Sequence, residues 1–262
     1  MPVSLSPTGQ VRKTLDEGRA LLDKLDVMDT SCHSVYYKTA MEYYMVVGPS
    51  ESFYANSITY LSYTNVEAMD KEERYKLATS LSLSALTGKA IYNFGEVLFT
   101  PLLQASLPNT PNSWILDLIV AFSEGDVTGY HKILASKNSE IQACKELASS
   151  FDVLEEKIRL LSVVNLVFKR DANNRTIPFA EISAIAQIPS DQTEWLLMRA
   201  LSLSLIKGEI DEIEQVVEVS WVLPRVLGME QIKEMASRLK EWEVKVEEMG
   251  KVMHEGGGEL LA

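Results

Sequence analysis

Residues 176–227 read TIPFAEISAIAQIPSDQTEWLLMRALSLSLIKGEIDEIEQVVEVSWVLPRVL, and this stretch decides the fold. Its pattern predicts a short strand, two helices joined by a tight turn at Pro189-Ser190, and a two-stranded wing. The first helix begins at Pro178-Phe179 and directs Phe179, Ile182, Ile185 and Ala186 toward a core. Asp191 and Glu194 have the spacing of a capping box. Trp195, Leu196, Leu197, Leu201, Leu205 and Ile206 then predict a largely buried second helix, with Gly208 at its C-terminal cap. The wing is expected from Glu209-Ile210-Asp211 and from residues 216–222. There Val217, Val219 and Trp221 alternate with Glu218 and Ser220, the period of a half-buried strand. The sum is a winged helix.

Winged helices often bind DNA, but this one carries the wrong charge. Its basic residues are Arg199, Lys207 and Arg225. Its acidic residues are Glu181, Asp191, Glu194, Glu209, Asp211, Glu212, Glu214 and Glu218. Three against eight leave a net charge of −5. Phosphate binding rests on Lys and Arg displacing counterions, so this surface repels nucleic acid. Its surfaces and strand edges are expected to serve other proteins, because an exposed sheet edge can be extended by another chain's strand.

The whole chain points the same way. It has 262 residues, 46% of them hydrophobic, and a net charge of −12. That composition fits a well-packed protein with room for one large or two modest domains. The acidic balance disfavours nucleic acid and anionic membranes as partners. No apolar run reaches the ~18–20 residues that span a bilayer. The first residues, MPVSLSPTGQ, lack the basic and apolar regions of a signal peptide. Cys32 and Cys144 belong to no motif and are expected to be reduced thiols in a cytosolic or nuclear protein. The sequon Asn174-Arg175-Thr176 is then a chance match.

Upstream of the winged helix the pattern is helix after helix. Residues 1–10 are expected to be loose, and residues 11–138 to form a helical-repeat array. Leu15, Leu21, Leu22 and Leu25 recur at helical spacing. An aromatic segment from Tyr36 to Tyr44 is stopped by Gly48-Pro49, and Ser50 opens the next helix through Phe53, Tyr54, Ile58 and Leu61. Asp70 reads as a cap for a helix ending at Gly88. Thr110-Pro111 reads as the start of a run to Phe122, broken by Gly125. Short helices with short connections favour stacked antiparallel hairpins, a tetratricopeptide-like, right-handed array without that repeat's consensus residues. A long helix is expected from about Ser139 to Arg170, and the polar Asp171-Ala172-Asn173-Asn174 is the candidate boundary. Residues 139–227 thus form one module, linker helix plus winged helix, with close packing rather than a flexible tether.

Beyond it, Ile232, Met235, Leu239, Trp242, Val246, Met249 and Met253 fall at alternating spacings of 3 and 4. This heptad seam predicts a helix over residues 228–255 that joins a bundle, with Gly256-Gly257-Gly258 opening a tail over 256–262.

Reactive groups do not converge in the sequence. His33, His131 and His254 are scattered, and none belongs to an HExxH or Cys/His cluster. There is no GxSxG elbow, P-loop or GxGxxG. No catalytic residue, cofactor, metal or small-molecule substrate is expected.

Helical hairpins, a winged helix and a terminal bundle helix together resemble the PCI family. The likeness is carried by Tyr36-Tyr37-Lys38, Asn93-Phe94-Gly95-Glu96, Phe179-Ala180-Glu181-Ile182 and Leu197-Met198-Arg199-Ala200-Leu201-Ser202. Lys207-Gly208-Glu209-Ile210-Asp211-Glu212 and Trp221-Val222-Leu223-Pro224-Arg225-Val226-Leu227 are its most specific part. It runs from about Ser34 to the C-terminus, whereas residues 1–30 match poorly and family members begin with more helical repeat. Family members are subunits of the proteasome lid, the COP9 signalosome and a translation initiation factor complex. The resemblance implies a mainly α protein and a non-catalytic subunit of the proteasome lid, in cytoplasm and nucleus. Its partners would be other lid PCI subunits and the lid's helical bundle. By position it assigns the wing interface to Val217, Val219, Trp221 and Arg225, and the bundle interface to the seam from Ile232 to Met253. A scaffold of another PCI complex is the alternative, ahead of a nucleic-acid-binding winged helix.

Overall fold

The computed structural model describes residues 7–25, 30–108, 110–170, 175–224, 226 and 229–257. The chain separates into two compact units, Met1–Pro224 and Arg225–Ala262.

The first unit opens with the helices α1 (Pro7–Leu25), α2 (Thr30–Val47), α3 (Ser50–Tyr63) and α4 (Lys71–Thr87), each packed on the next. Residues 7–10 are therefore the first turn of α1 rather than a loose end. Gly48-Pro49 separates α2 from α3, as its missing N–H requires. Asp70 caps α4 by accepting from the Glu72 amide at 3.2 Å. Two short helices follow, α5 (Phe94–Leu98) and α6 (Pro101–Ser106), then α7 (Ser113–Glu124) and α8 (Val127–Ser136). The Pro-at-first-position signal belongs to α6, at Thr100-Pro101. Thr110 instead turns back to hydrogen-bond the Leu107 carbonyl at 2.7 Å, so α7 starts later, after Asn112.

The expected long helix over 139–170 is three helices: α9 (Asn138–Ala143), α10 (Lys145–Ala148) and α11 (Phe151–Lys169). Cys144, in extended geometry, and the turn at Ser149-Ser150 interrupt the ladder. The candidate boundary at residues 171–174 lies outside the described residues.

Next comes β1 (Thr176–Pro178), α12 (Phe179–Ala186), a single 3-10 turn at Ser190–Gln192, α13 (Thr193–Ser202), β2 (Ile206–Asp211) and β3 (Val216–Val222). The sheet order is β1-β3-β2, antiparallel throughout, with Thr176 opposite Glu218 and Asp211 opposite Val216. This is the winged helix that the hydrophobic pattern predicts. Gly208 lies in β2 at a register shift and not at a helix cap. A Cβ there would stand 2.1 Å from the Glu218 carbonyl oxygen, so two backbones approach where only glycine fits. The 3-10 turn also displaces the expected capping box: α13 starts at Thr193, after Gln192, with no side-chain cap bond.

Two hydrophobic cores share α11. Leu154 and Ile158 join the helical-array core with Leu81, Phe94, Phe122 and Tyr130. Leu160, Val163, Val164 and Val167 join the winged-helix core with Ile177, Ile182, Leu197 and Val217. Burying such side chains contributes about 1.5–3 kcal/mol each, so one helix couples the halves. Gly125 adds a close crossing. It takes the left-handed conformation at φ 64° at the end of α7, and a Cβ there would stand 2.8 Å from the Leu161 carbonyl oxygen. Asn165 donates to the Glu124 carbonyl beside it, and Gln187 donates to Thr128 at 3.0 Å.

Among the described residues the second unit holds one helix, α14 (Met229–Gly257), of 29 residues and about 43 Å at 1.5 Å per residue. It runs through Gly256 and Gly257, two residues past the expected end. Among the described residues no helix is long and apolar enough to cross a membrane.

Candidate functional site

Three surfaces offer themselves, and each follows from local folding. The first is the wing. β3 is the central strand, so the sheet's two edges are β1 and β2. Val217 and Val219 are buried in the winged-helix core, so their side chains serve the fold and not a partner. Trp221 is half-buried, with the Lys207 ammonium 5.0 Å from its ring centroid. Arg225 lies outside the described residues. What the wing presents outward is the backbone edge of β2 and the side chains of Lys207, Glu209 and Asp211. At its tip Asp211 accepts from the amides of Ile213 and Glu214, at 2.9 and 3.1 Å, which orders a turn carrying a fully exposed isoleucine.

The second surface is α13. Trp195-Leu196-Leu197-Met198 are consecutive apolar residues, and 100° per residue prevents all four from facing one core. Leu196 and Leu197 face inward with Ala200, while Trp195 and Met198 point outward. The expectation that Trp195 is buried fails for this reason. Ile185 of α12, expected in the core, is exposed as well. Arg199 leaves α13 to pair with Glu156 of α11 at 2.7 Å, and that carboxylate raises its pKa.

The third is α14. All seven seam residues are exposed, between 47% (Ile232) and 74% (Met253). This row of Leu, Trp and Met at heptad spacing leaves a continuous exposed apolar face on α14.

Sequence reasoning missed Lys157. It sits on α11 between Leu154 and Leu161, at apolar-face spacing, and it is buried. Its ammonium donates to the carbonyls of Ala85, Leu86 and Gly88 at 2.9, 3.1 and 2.8 Å. It also lies 4.9 Å from the Phe94 ring centroid. Burial pushes its pKa down to about 7, and the distant Glu51 only partly opposes this. The signal was available as a lone lysine on an otherwise apolar stripe. Its three bonds join the end of α4 to α11, and among the described residues no carboxylate forms an ion pair with it.

The three histidines lie on different elements. His33 stacks on Tyr63, with ring centroids 4.9 Å apart, His131 lies beside Tyr130, and His254 is on α14. Among the described residues no three His, Cys, Asp or Glu side chains are placed to hold a metal. Cys32 is exposed and Cys144 half-buried, both as free thiols.

A helical array whose last helix is shared with a winged helix, followed by a separate long helix, is the architecture of PCI-domain scaffolds, and the chain belongs to the PCI-domain family. The PCI domain model matches residues 134–221. PSD13 N-terminal repeats match residues 2–119, and the Rpn9 C-terminal helix matches residues 225–257. The repeat match begins well before Ser34, where the sequence comparison placed its start.

Among relatives, 26S proteasome non-ATPase regulatory subunit 13 homolog B of Arabidopsis thaliana is 37% identical over 237 residues, 90% of this chain and 61% of the relative. The 26S proteasome non-ATPase regulatory subunit 13 of Dictyostelium discoideum is 31% identical over 251 residues, 96% of this chain and 65% of the relative. Eukaryotic translation initiation factor 3 subunit M of Aspergillus terreus is 25% identical over 172 residues, 66% of this chain and 36% of the relative. The chain spans less than two thirds of the length of these relatives.

Proposed function

We propose that this protein is a non-catalytic structural subunit of the proteasome regulatory-particle lid, supporting assembly and ubiquitin-dependent degradation without performing chemistry. The observation that carries this reading is that three matched segments, repeats, PCI domain and terminal helix, occur in order along the chain. Two of the three bear the names of proteasome relatives that reach 31–37% identity across most of the chain. In this reading the free edge of β2 pairs with a neighbouring PCI wing, and the α14 seam enters a helical bundle. The array holds these elements in register. Its partners are other lid PCI subunits, in cytoplasm and nucleus, with no nucleic acid, membrane or small-molecule ligand required.

The second reading is a scaffold of a translation initiation factor complex, favoured by the 25% identity to subunit M relatives. Gentle purification of the native complex through an N-terminal tag, with mass spectrometry of stoichiometric subunits, separates the two. Lid subunits with the proteasome's ATPases support the first. Initiation-factor subunits at comparable stoichiometry, with lid subunits absent, transfer the function to the second.

A further inference from the structure

In a DNA-binding winged helix the second helix reads the groove. Here that helix is α13, and its outward face carries Trp195, 56% exposed, and Met198, 49% exposed. Between α13 and the first turns of α11 lies a cavity of about 270 Å³. Ile188, Trp195 and Leu196 form its apolar wall, and Asp152, Glu155 and Glu156, with Arg159 and Gln192 among them, form a polar wall in which acids outnumber bases three to one.

The charges there do not balance. Glu155 is held by Arg159, and Glu156 by Arg199 at 2.7 Å. Asp152, exposed at the start of α11, has no ion-pair partner among the described residues. One carboxylate without an ion-pair partner among the described residues therefore lines the same cavity as one exposed indole.

The size narrows the occupant. Small-molecule sites run to roughly 300–1,000 Å³. This cavity falls below that range and suits one extended side chain. A guanidinium answers both walls at once: its plane stacks on an indole, and its paired N–H groups match a carboxylate. An ammonium is a hydrated point charge and matches only the second. Trp and Arg are also the residues enriched where interface energy concentrates. The surrounding field is favourable, because the chain carries a net charge of −12 and attracts basic partners.

We propose that this cavity receives an arginine side chain from a partner protein, stacked on Trp195 and paired with Asp152, with an adjacent apolar residue resting on Met198. This surface lies on α13 and α11 and not on the wing edge, so it stands whichever complex the protein joins.

The test uses the full chain, labelled with ¹⁵N, and an acetylated, amidated Leu-Arg-Leu peptide as probe. The same peptide with citrulline, which keeps the shape and removes the charge, is the control. Saturable shifts are expected at the Trp195 indole N–H and at the amides of residues 152–156. Affinity should fall about five-fold or more with citrulline and in Asp152→Asn, the factor that ~1 kcal/mol of charge pairing corresponds to. Trp195→Ala should abolish the shifts at 152–156 and leave the β3 resonances unchanged, which separates loss of the site from loss of the fold. Equal binding of the two peptides, unchanged affinity in Asp152→Asn, or no saturable shift at these positions each overturns the proposal.

Discussion

The Lys157 ammonium donates to the Gly88 carbonyl at 2.8 Å, joining positions 69 residues apart in the chain. With its bonds to Ala85 and Leu86, it fills the last carbonyls of α4, which no following helical amide can reach. A cation at a helix C-terminus also complements the macrodipole. The end of the helical array is thereby tied to the helix that carries both cores.

Replacing Lys157 by Met keeps the volume and removes the donors. Buried carbonyls left without partners cost ~1–3 kcal/mol each. Relief of the ammonium's desolvation offsets part of that. Lys157→Met is expected to destabilise the chain by about 2–4 kcal/mol in urea unfolding. A loss below ~0.5 kcal/mol would mean that water replaces the ammonium at α4 without penalty.

The same group sets a pH dependence. Burial lowers the folded-state pKa of Lys157 from 10.5 to about 7. Between these values the unfolded chain binds a proton that the folded chain does not, so stability rises with pH. The slope approaches ~1.4 kcal/mol per pH unit, or about 1–2 kcal/mol between pH 7 and 8.5. Urea midpoints at the two pH values, compared with those of Lys157→Met, isolate this contribution. Identical midpoint shifts in both proteins would show that the lysine stays charged in the fold.

Gly125 tests the crossing of the α7–α8 turn over α11. An alanine there meets the left-handed backbone at φ 64° and a carbonyl oxygen at 2.8 Å. The backbone conformation alone costs ~1–2 kcal/mol, and the contact adds to it. Gly125→Ala should therefore lower stability by at least about 2 kcal/mol in thermal or urea unfolding. Wild-type stability in that variant would mean that α11 moves aside freely.

The α14 seam separates fold from assembly. Leu239 and Trp242 are 62% and 65% exposed, so Leu239→Asp and Trp242→Asp should change the unfolding of the isolated chain by less than ~0.5 kcal/mol. In a bundle the same substitutions place an unpaired charge in an apolar seam, at a cost of several kcal/mol. Loss of the variants from the purified complex, with unchanged unfolding, is the expected pair of results. Full incorporation would remove α14 from the assembly interface.

Much of this was legible along the chain because it rests on neighbours. The alternation of Val217, Val219 and Trp221 marks β3 at its observed limits, and Asp70 marks the start of α4. The heptad spacing from Ile232 to Met253 lies on one helix as expected. The misreadings have common causes. Gly208 and the pair Asp191 and Glu194 carry signals that fit two local structures, and only packing chooses between them. A register shift placed Gly208 in a strand, and a 3-10 turn moved the helix start past Asp191. Trp195 is apolar by type, but its neighbours Leu196 and Leu197 already fill the core-facing side.

By itself the sequence determined the starts of α3 and α4 and the limits of β3, that the chain is mainly helical, and that its winged helix carries a net negative charge. Periodicity, capping chemistry and charge are properties of residues a few positions apart, so they survive without coordinates. Only the tertiary structure decided that β3 lies in the middle of the sheet and turns Val217 and Val219 inward. Only it brought Lys157 to the end of α4 and Asp152 to Trp195. Such pairings join residues separated by tens of positions, and their energies appear only when packing removes the water between them.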